Sequence, residues 1–237
     1  MIEKLKVGLS LCLGLVLLNA CTVETVDSKN VRTGGIAALI TANATTDAAT
    51  TVRATLKVGG ASSNTVVDLS GGDSIFATAN DKRLEMEAQG SGVYEIDFNT
   101  AVADTEFIVD LQRETDDDAP ASKGTLPGPF SLVVPNMTTA RTQDLTITWS
   151  PADTKDDMTA ELSGTCIFSR TYDIAGDTGT HTIKAGDLVS VNTDKPETCD
   201  INVEVKRSRK GTPDTVFDPD SSFILTQTRT AKFTSAP

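Results

Sequence analysis

"CDINVEVKR", residues 199–207, alternates without a break: Cys199, Ile201, Val203 and Val205 fall on one side, and Asp200, Asn202, Glu204 and Lys206 on the other. A period of two sets one row against a core and the other in water, which is a strand with one wet face. The same pattern recurs on both sides of it. "TVRATLKV" (51–58) sets Val52, Ala54, Leu56 and Val58 against Arg53, Thr55 and Lys57. "VYEIDF" (93–98), "EFIVDLQR" (106–113), "FSLVV" (130–134), "DLTITW" (144–149) and "SFILTQT" (222–228) continue the series. "LSGTCIF" (162–168) places Leu162, Gly164, Cys166 and Phe168 on one face. No apolar period of 3.6 residues is sustained beyond the first twenty positions, so the chain is read as all-β.

Two units are expected. "VDLSGGDSIFATAND" (67–81) is echoed by "HTIKAGDLVSVNTDK" (181–195), and "FIVDLQRE" by "INVEVKRS". The spacings between the echoes differ, so duplication and shared strand grammar both remain open. The break between units is placed at "DDDAPASKGTLPGP" (116–129), or shortly after it at Pro135 to Asp144, and the first placement gives β-sandwich domains over 35–128 and 129–237. Two packed antiparallel sheets of about 100 residues per unit resemble immunoglobulin-like or fibronectin-type sandwiches. Trp149 is placed to pack over a disulfide as in immunoglobulin domains, although it precedes both cysteines rather than lying between them. The resemblance is to an architecture and carries over no functional residue.

The one long apolar run lies at the start. Lys4 and Lys6 precede an apolar stretch, residues 7–18, that is shorter than the roughly 20 residues a membrane-spanning helix needs. Leu18-Asn19-Ala20-Cys21 then resembles the lipobox of bacterial lipoproteins, with Asn19 departing from the small residue usual there. The resemblance implies a signal peptide over 1–20, lipid attachment at Cys21, and a stable anchor from more than one acyl chain. Thr22, where an aspartate would retain such a protein at the inner membrane, implies outer-membrane sorting. Residues 21–34, poor in apolar periodicity, read as a tether.

Charge and cysteines agree with export. A net charge of −12 disfavours binding to nucleic-acid phosphate and contact with an anionic bilayer. On that resemblance Cys12 would be lost with the leader and Cys21 spent on lipid, which leaves Cys166 and Cys199 as an even pair in an oxidising compartment. A bond between them is expected, against two free buried thiols.

Catalytic chemistry is hard to find. His181 is the sole histidine and reads as a strand residue. No nucleophile elbow, metal-spaced Cys/His set or phosphate-cradling loop is present. The acidic clusters Asp116–Asp118, Asp153 with Asp156 and Asp157, and "DTVFDPDSS" (214–222) are the candidates for calcium, although none follows the calcium-hand spacing. "KRSRKG" (206–211) reads as a polar loop after a strand. The expectation is a non-enzymatic, lipid-anchored envelope protein acting as a spacer or protein-binding module, without cofactor or metal, with an unidentified envelope partner. The alternative is calcium or small-ligand binding through the acidic loops.

Overall fold

The computed structural model describes residues 23–152 and 155–237. The signal segment and Cys21 lie outside the described residues, as does Asp153. The described chain is all-β apart from two single-turn 3₁₀ segments.

One continuous eleven-stranded sheet forms the base. Its path runs Glu24–Asp27, Thr65–Asp68, Thr50–Val58, Ile36–Ala44, Ser222–Ala236, Cys199–Lys210, Asp157–Gly164 and Ile167–Ile174, with Val93–Phe98 also paired to Thr50–Val58. Two smaller sheets cover it. A four-stranded sheet (Ala119–Thr125, Glu106–Gln112, Ser74–Ala79, Lys82–Glu85) encloses the first hydrophobic core, with Ile40, Leu56, Phe107 and Leu111 at its centre. A three-stranded sheet (Ser131–Val133, Leu145–Ser150, Thr180–Ile183) encloses the second, around Ile147, Trp149, Leu162 and Val203.

The hairpin of Cys199–Lys210 and Ser222–Ala236 belongs to both halves. Ser222–Ala236 is 15 residues long. Its first part pairs in parallel with Ile36–Ala44, and antiparallel pairing with Cys199–Lys210 runs from Ile224 to Ser235. Phe223 and Leu225 pack in the first core and Phe233 in the second. These three share a parity, so both cores lie on the same face of the long strand. A cut of the chain at 128/129 therefore does not separate the cores, because Phe217, Phe223 and Leu225 return to the first.

Two further expectations are corrected. The segment read as a tether is bound to the first sandwich from Glu24 onward: Glu24–Asp27 pairs in parallel with Thr65–Asp68, and Ser28 and Thr33 are buried. The cause is Arg113, whose guanidinium lies inside the sandwich wall and takes its acceptors from this segment. It donates to the Ser28 carbonyl at 2.7 Å, the Val31 carbonyl at 2.9 Å and Thr33 Oγ1 at 2.9 Å, while Nε pairs with Asp73 at 2.7 Å. Phe168, expected on the core side, is 60% exposed. The chain turns between Gly164 and Ile167, so Phe168 lies on the outermost strand. Its neighbours there, Val189 and Val191, are exposed as well.

Candidate functional site

The most heavily built polar region is the junction where the chain crosses from one core to the other. Residues 126–130 read Leu-Pro-Gly-Pro-Phe. Prolines have no N–H, so this crossing cannot join a ladder through them, and its carbonyls need donors from elsewhere once buried. The central hairpin supplies them. On its inner face the row Ile201, Val203 and Val205 continues as Arg207 and Arg209, with Gln227 directly opposite Arg207.

Each long side chain takes part of the crossing. Arg209 Nη1 donates to Thr125 Oγ1 at 2.9 Å and to the Leu126 carbonyl at 3.4 Å. Gln227 Nε2 reaches the Pro127 carbonyl at 3.2 Å and the Ala101 carbonyl at 2.9 Å. Arg207 Nη1 donates to the Gly128 carbonyl at 2.8 Å, and its Nη2 to the Pro151 carbonyl at 2.6 Å. The Phe130 ring lies under two guanidinium groups, Arg207 at 4.8 Å and Arg229 at 5.6 Å, a geometry in which cation and ring attract. A planar fork of donors can hold several carbonyls at once where a lysine could not.

The charges are neutralised within the same region. Arg207 pairs with Asp177 at 2.6 Å, and both side chains are fully buried. The Trp149 indole N–H donates to the same carboxylate. Arg209 meets Asp156 through two bonds, Nε–Oδ1 at 2.7 Å and Nη2–Oδ2 at 3.0 Å, and Asp104 at 2.7 Å. The largest effect on Arg209 is the Asp156 hydrogen bond, which raises its proton affinity further. Neither Arg207 nor Arg209 was legible as anything but part of a basic run. The only clue was that both keep the parity of the apolar row before them.

The cysteine pair forms the disulfide, Cys166–Cys199, with Cα atoms 5.9 Å apart. It ties the turn after Asp157–Gly164 to the start of Cys199–Lys210. Trp149 is buried in the same core, but its polar edge is committed to Asp177. The polar group set against the bridge is Arg141, whose Nη2 lies 2.8 Å from Cys166 Sγ.

The acidic clusters serve the chain's own backbone. Asp116 accepts from the N–H groups of Thr33 and Asp117, and Asp118 from that of Arg113. Asp214 accepts from Ala121 and Val216, and Asp218 from Asp220. Among the described residues no three metal-ligating side chains converge. His181 lies on Thr180–Ile183 with its ring 5.0 Å from that of Tyr172, and among the described residues its Nε2 is buried without a hydrogen-bond partner. Burial lowers its proton affinity, against a smaller opposing pull from Asp187.

No family model and no curated protein matches the chain. Among solved structures it is similar to a two-domain fibronectin type-III segment of chicken tenascin, at 9% identity over 84% of this chain and 99% of that one, TM-score 0.28. It is also similar to the central fibronectin type-III array of RIM-binding protein, at 12% identity over 88% and 70% of the two chains, TM-score 0.28.

Proposed function

We propose that this protein is a non-enzymatic, lipid-anchored component of a bacterial cell envelope, held at the outer membrane through Cys21, whose two sandwiches form a stiff spacer that presents a protein-binding surface. The observation that supports the stiff spacer is the junction. Tandem domains usually join through exposed, mobile linkers. Here the crossing is held by carbonyl-directed bonds from Arg207, Arg209 and Gln227, and the two cores share one uninterrupted hairpin. Such a body holds whatever it presents at a fixed distance and orientation from its anchor. The lipobox-like Leu18-Asn19-Ala20-Cys21 and the acidic exterior support attachment through lipid, with the folded part repelled from an anionic bilayer.

Two measurements test the reading separately. Replacing Cys21 by Ser should abolish detergent partitioning and leader processing; unchanged processing and attachment would refute the anchor. Spin labels at the exposed positions Gln89 and Ser169, one on each sandwich, should give a single narrow distance distribution. A broad distribution would refute the stiff spacer while leaving the anchor intact.

A further inference from the structure

Arg141 is a buried guanidinium whose hydrogen-bond partners among the described residues are neutral. It is 6% exposed. Its Nη1 donates to Ser190 Oγ at 2.8 Å, and its Nη2 to the Glu197 carbonyl at 2.5 Å and to Cys166 Sγ at 2.8 Å, while Nε has no partner among the described residues. Among the described residues no carboxylate pairs with it. That is costly in a medium of low dielectric, since a buried cation is ordinarily compensated by an anion. One neighbour can become an anion. If the bridge opens, Cys166 becomes a thiol whose ionised form lies directly against the guanidinium, the setting in which a thiolate is stabilised.

The two sulfurs are not equivalent. Cys199 is partly exposed, whereas Cys166 is 4% exposed. Among the described residues Cys199 Sγ accepts from a neutral donor, the Cys166 N–H at 3.2 Å, whereas Cys166 Sγ faces the cation. Exchange is fastest when the attacked sulfur is accessible and the leaving sulfur makes the more stable thiolate. Both conditions select the same direction. The bridge is also bordered by exposed apolar side chains, Phe168, Val189 and Val191, held together by the Phe168–Val189 and Val191–Cys166 backbone bonds.

We propose that Cys166–Cys199 is an exchangeable redox site, opened by a dithiol reductant that attacks Cys199 and expels Cys166 as a thiolate held by Arg141. In the first step a thiolate of the reductant forms a bond to Cys199 Sγ, the Cys166–Cys199 bond breaks, and its electron pair goes to Cys166 Sγ. The reductant's second thiolate then attacks its own sulfur in the mixed disulfide. This releases Cys199 as a thiolate that takes up a proton, and leaves the reductant as a cyclic disulfide. Two electrons pass from the dithiol to the protein. The chain gains a negative group against Arg141, the Cys166 thiolate, and loses the tie between the 164–167 turn and strand Cys199–Lys210.

The test uses the full-length chain in two independent arms. Limited exposure to glutathione followed by acid quench and peptide mass mapping should place glutathione on Cys199 with Cys166 free; glutathione on Cys166, or equally on both, overturns the proposal. Equilibration in dithiothreitol redox buffers should show Arg141→Met at least tenfold harder to reduce than wild type, about 30 mV for a two-electron couple, with Arg141→Lys in between. An unchanged equilibrium in Arg141→Met, with Trp149 fluorescence confirming its fold, overturns it. Should Arg141→Met fail to fold, the glutathione mapping of the unaltered chain decides alone.

Discussion

Arg207 and Asp177 form an ion pair of 2.6 Å in which neither side chain touches solvent, at the point where the two hydrophobic cores meet. Taking both charges out of water costs several kcal/mol, and the contacts around them must return it. Here Arg207 also serves the Gly128 and Pro151 carbonyls, and Asp177 also accepts from Trp149. Removing only the cation is then expensive. We expect Arg207→Met to lower unfolding stability by about 3–5 kcal/mol, measured as a shift in the urea midpoint. The adjacent Lys206 faces outward in an exposed pair with Glu204, and Lys206→Met should cost under about 1 kcal/mol. Equal losses in the two variants would show that the junction is not held by Arg207.

The first sandwich carries its own buried pair, Arg113 with Asp73, each side chain 1% exposed. Burial alone would raise the proton affinity of Asp73, but hydrogen bonds from Ser28 and the Glu114 N–H, together with Arg113, outweigh it and hold the carboxyl below its usual value of 3.8. The native state therefore resists protonation more than the unfolded chain does. The stability this gives is complete above about pH 4 and is lost as pH falls through the lowered native value. We expect Asp73→Asn to be less stable than wild type at neutral pH, with the difference shrinking as the pH drops below 4. The check is urea unfolding at a series of pH values, and a difference independent of pH would count against this assignment. The same variant should expose residues 24–35 to protease, since Ser28 and Arg113 depend on that carboxylate.

Much of the strand content was legible from alternation, because the large sheet has one wet face. Val93–Phe98 has the bounds its pattern suggests, and Val52, Ala54 and Leu56 are all buried. The strand read as 222–228 runs on to Ala236, since Ala231 and Phe233 keep the alternation with few large side chains to mark it. What stayed hidden was set by distant partners. Arg113 binds residues 80 or more positions earlier, so nothing local distinguishes residues 24–35 from a tether. Arg207 and Gln227 continue an apolar row with polar side chains, which a hydropathy pattern reads as the end of a buried face. Their burial is explained by distant acceptors: the Pro127 and Gly128 carbonyls of the proline-rich crossing, the Ala101 and Pro151 carbonyls, and the Asp177 carboxylate.

Gly92 and Gly90 flank one turn and should respond very differently to a methyl group. Both have positive φ, +69° and +89°, where an L side chain is strained. A Cβ on Gly90 meets open space, but one on Gly92 would lie 2.8 Å from Val66 Cβ and 2.9 Å from the Leu56 carbonyl. Gly92 is confined because it lies between two strands: its carbonyl accepts from Leu56 and its N–H donates to Asp68. We expect Gly90→Ala to cost about 1 kcal/mol, the conformational part alone. Gly92→Ala should lose about 1–3 kcal/mol more through overpacking. Similar thermal midpoints for the two variants would show that the space around Gly92 relaxes freely.

His181 gives the second sandwich a pH response of opposite chemistry but the same sense. Its native proton affinity lies below the ordinary value of 6.5, first because burial disfavours the charged ring, with Asp187 opposing in part. The unfolded chain therefore takes up a proton at higher pH than the native one. Stability is unaffected above the unfolded value and falls as pH drops from about 6.5 toward the lowered native value. Among the described residues Nε2 is buried without a hydrogen-bond partner that would favour the charged ring. His181→Gln, which cannot titrate, should remove the loss of stability that sets in as pH falls below about 6.5, where ordinary carboxylates are still mostly ionised. Urea unfolding of the two proteins across that range is the measurement. Parallel profiles would mean that the ring gains a partner on protonation and that its burial does not govern its charge.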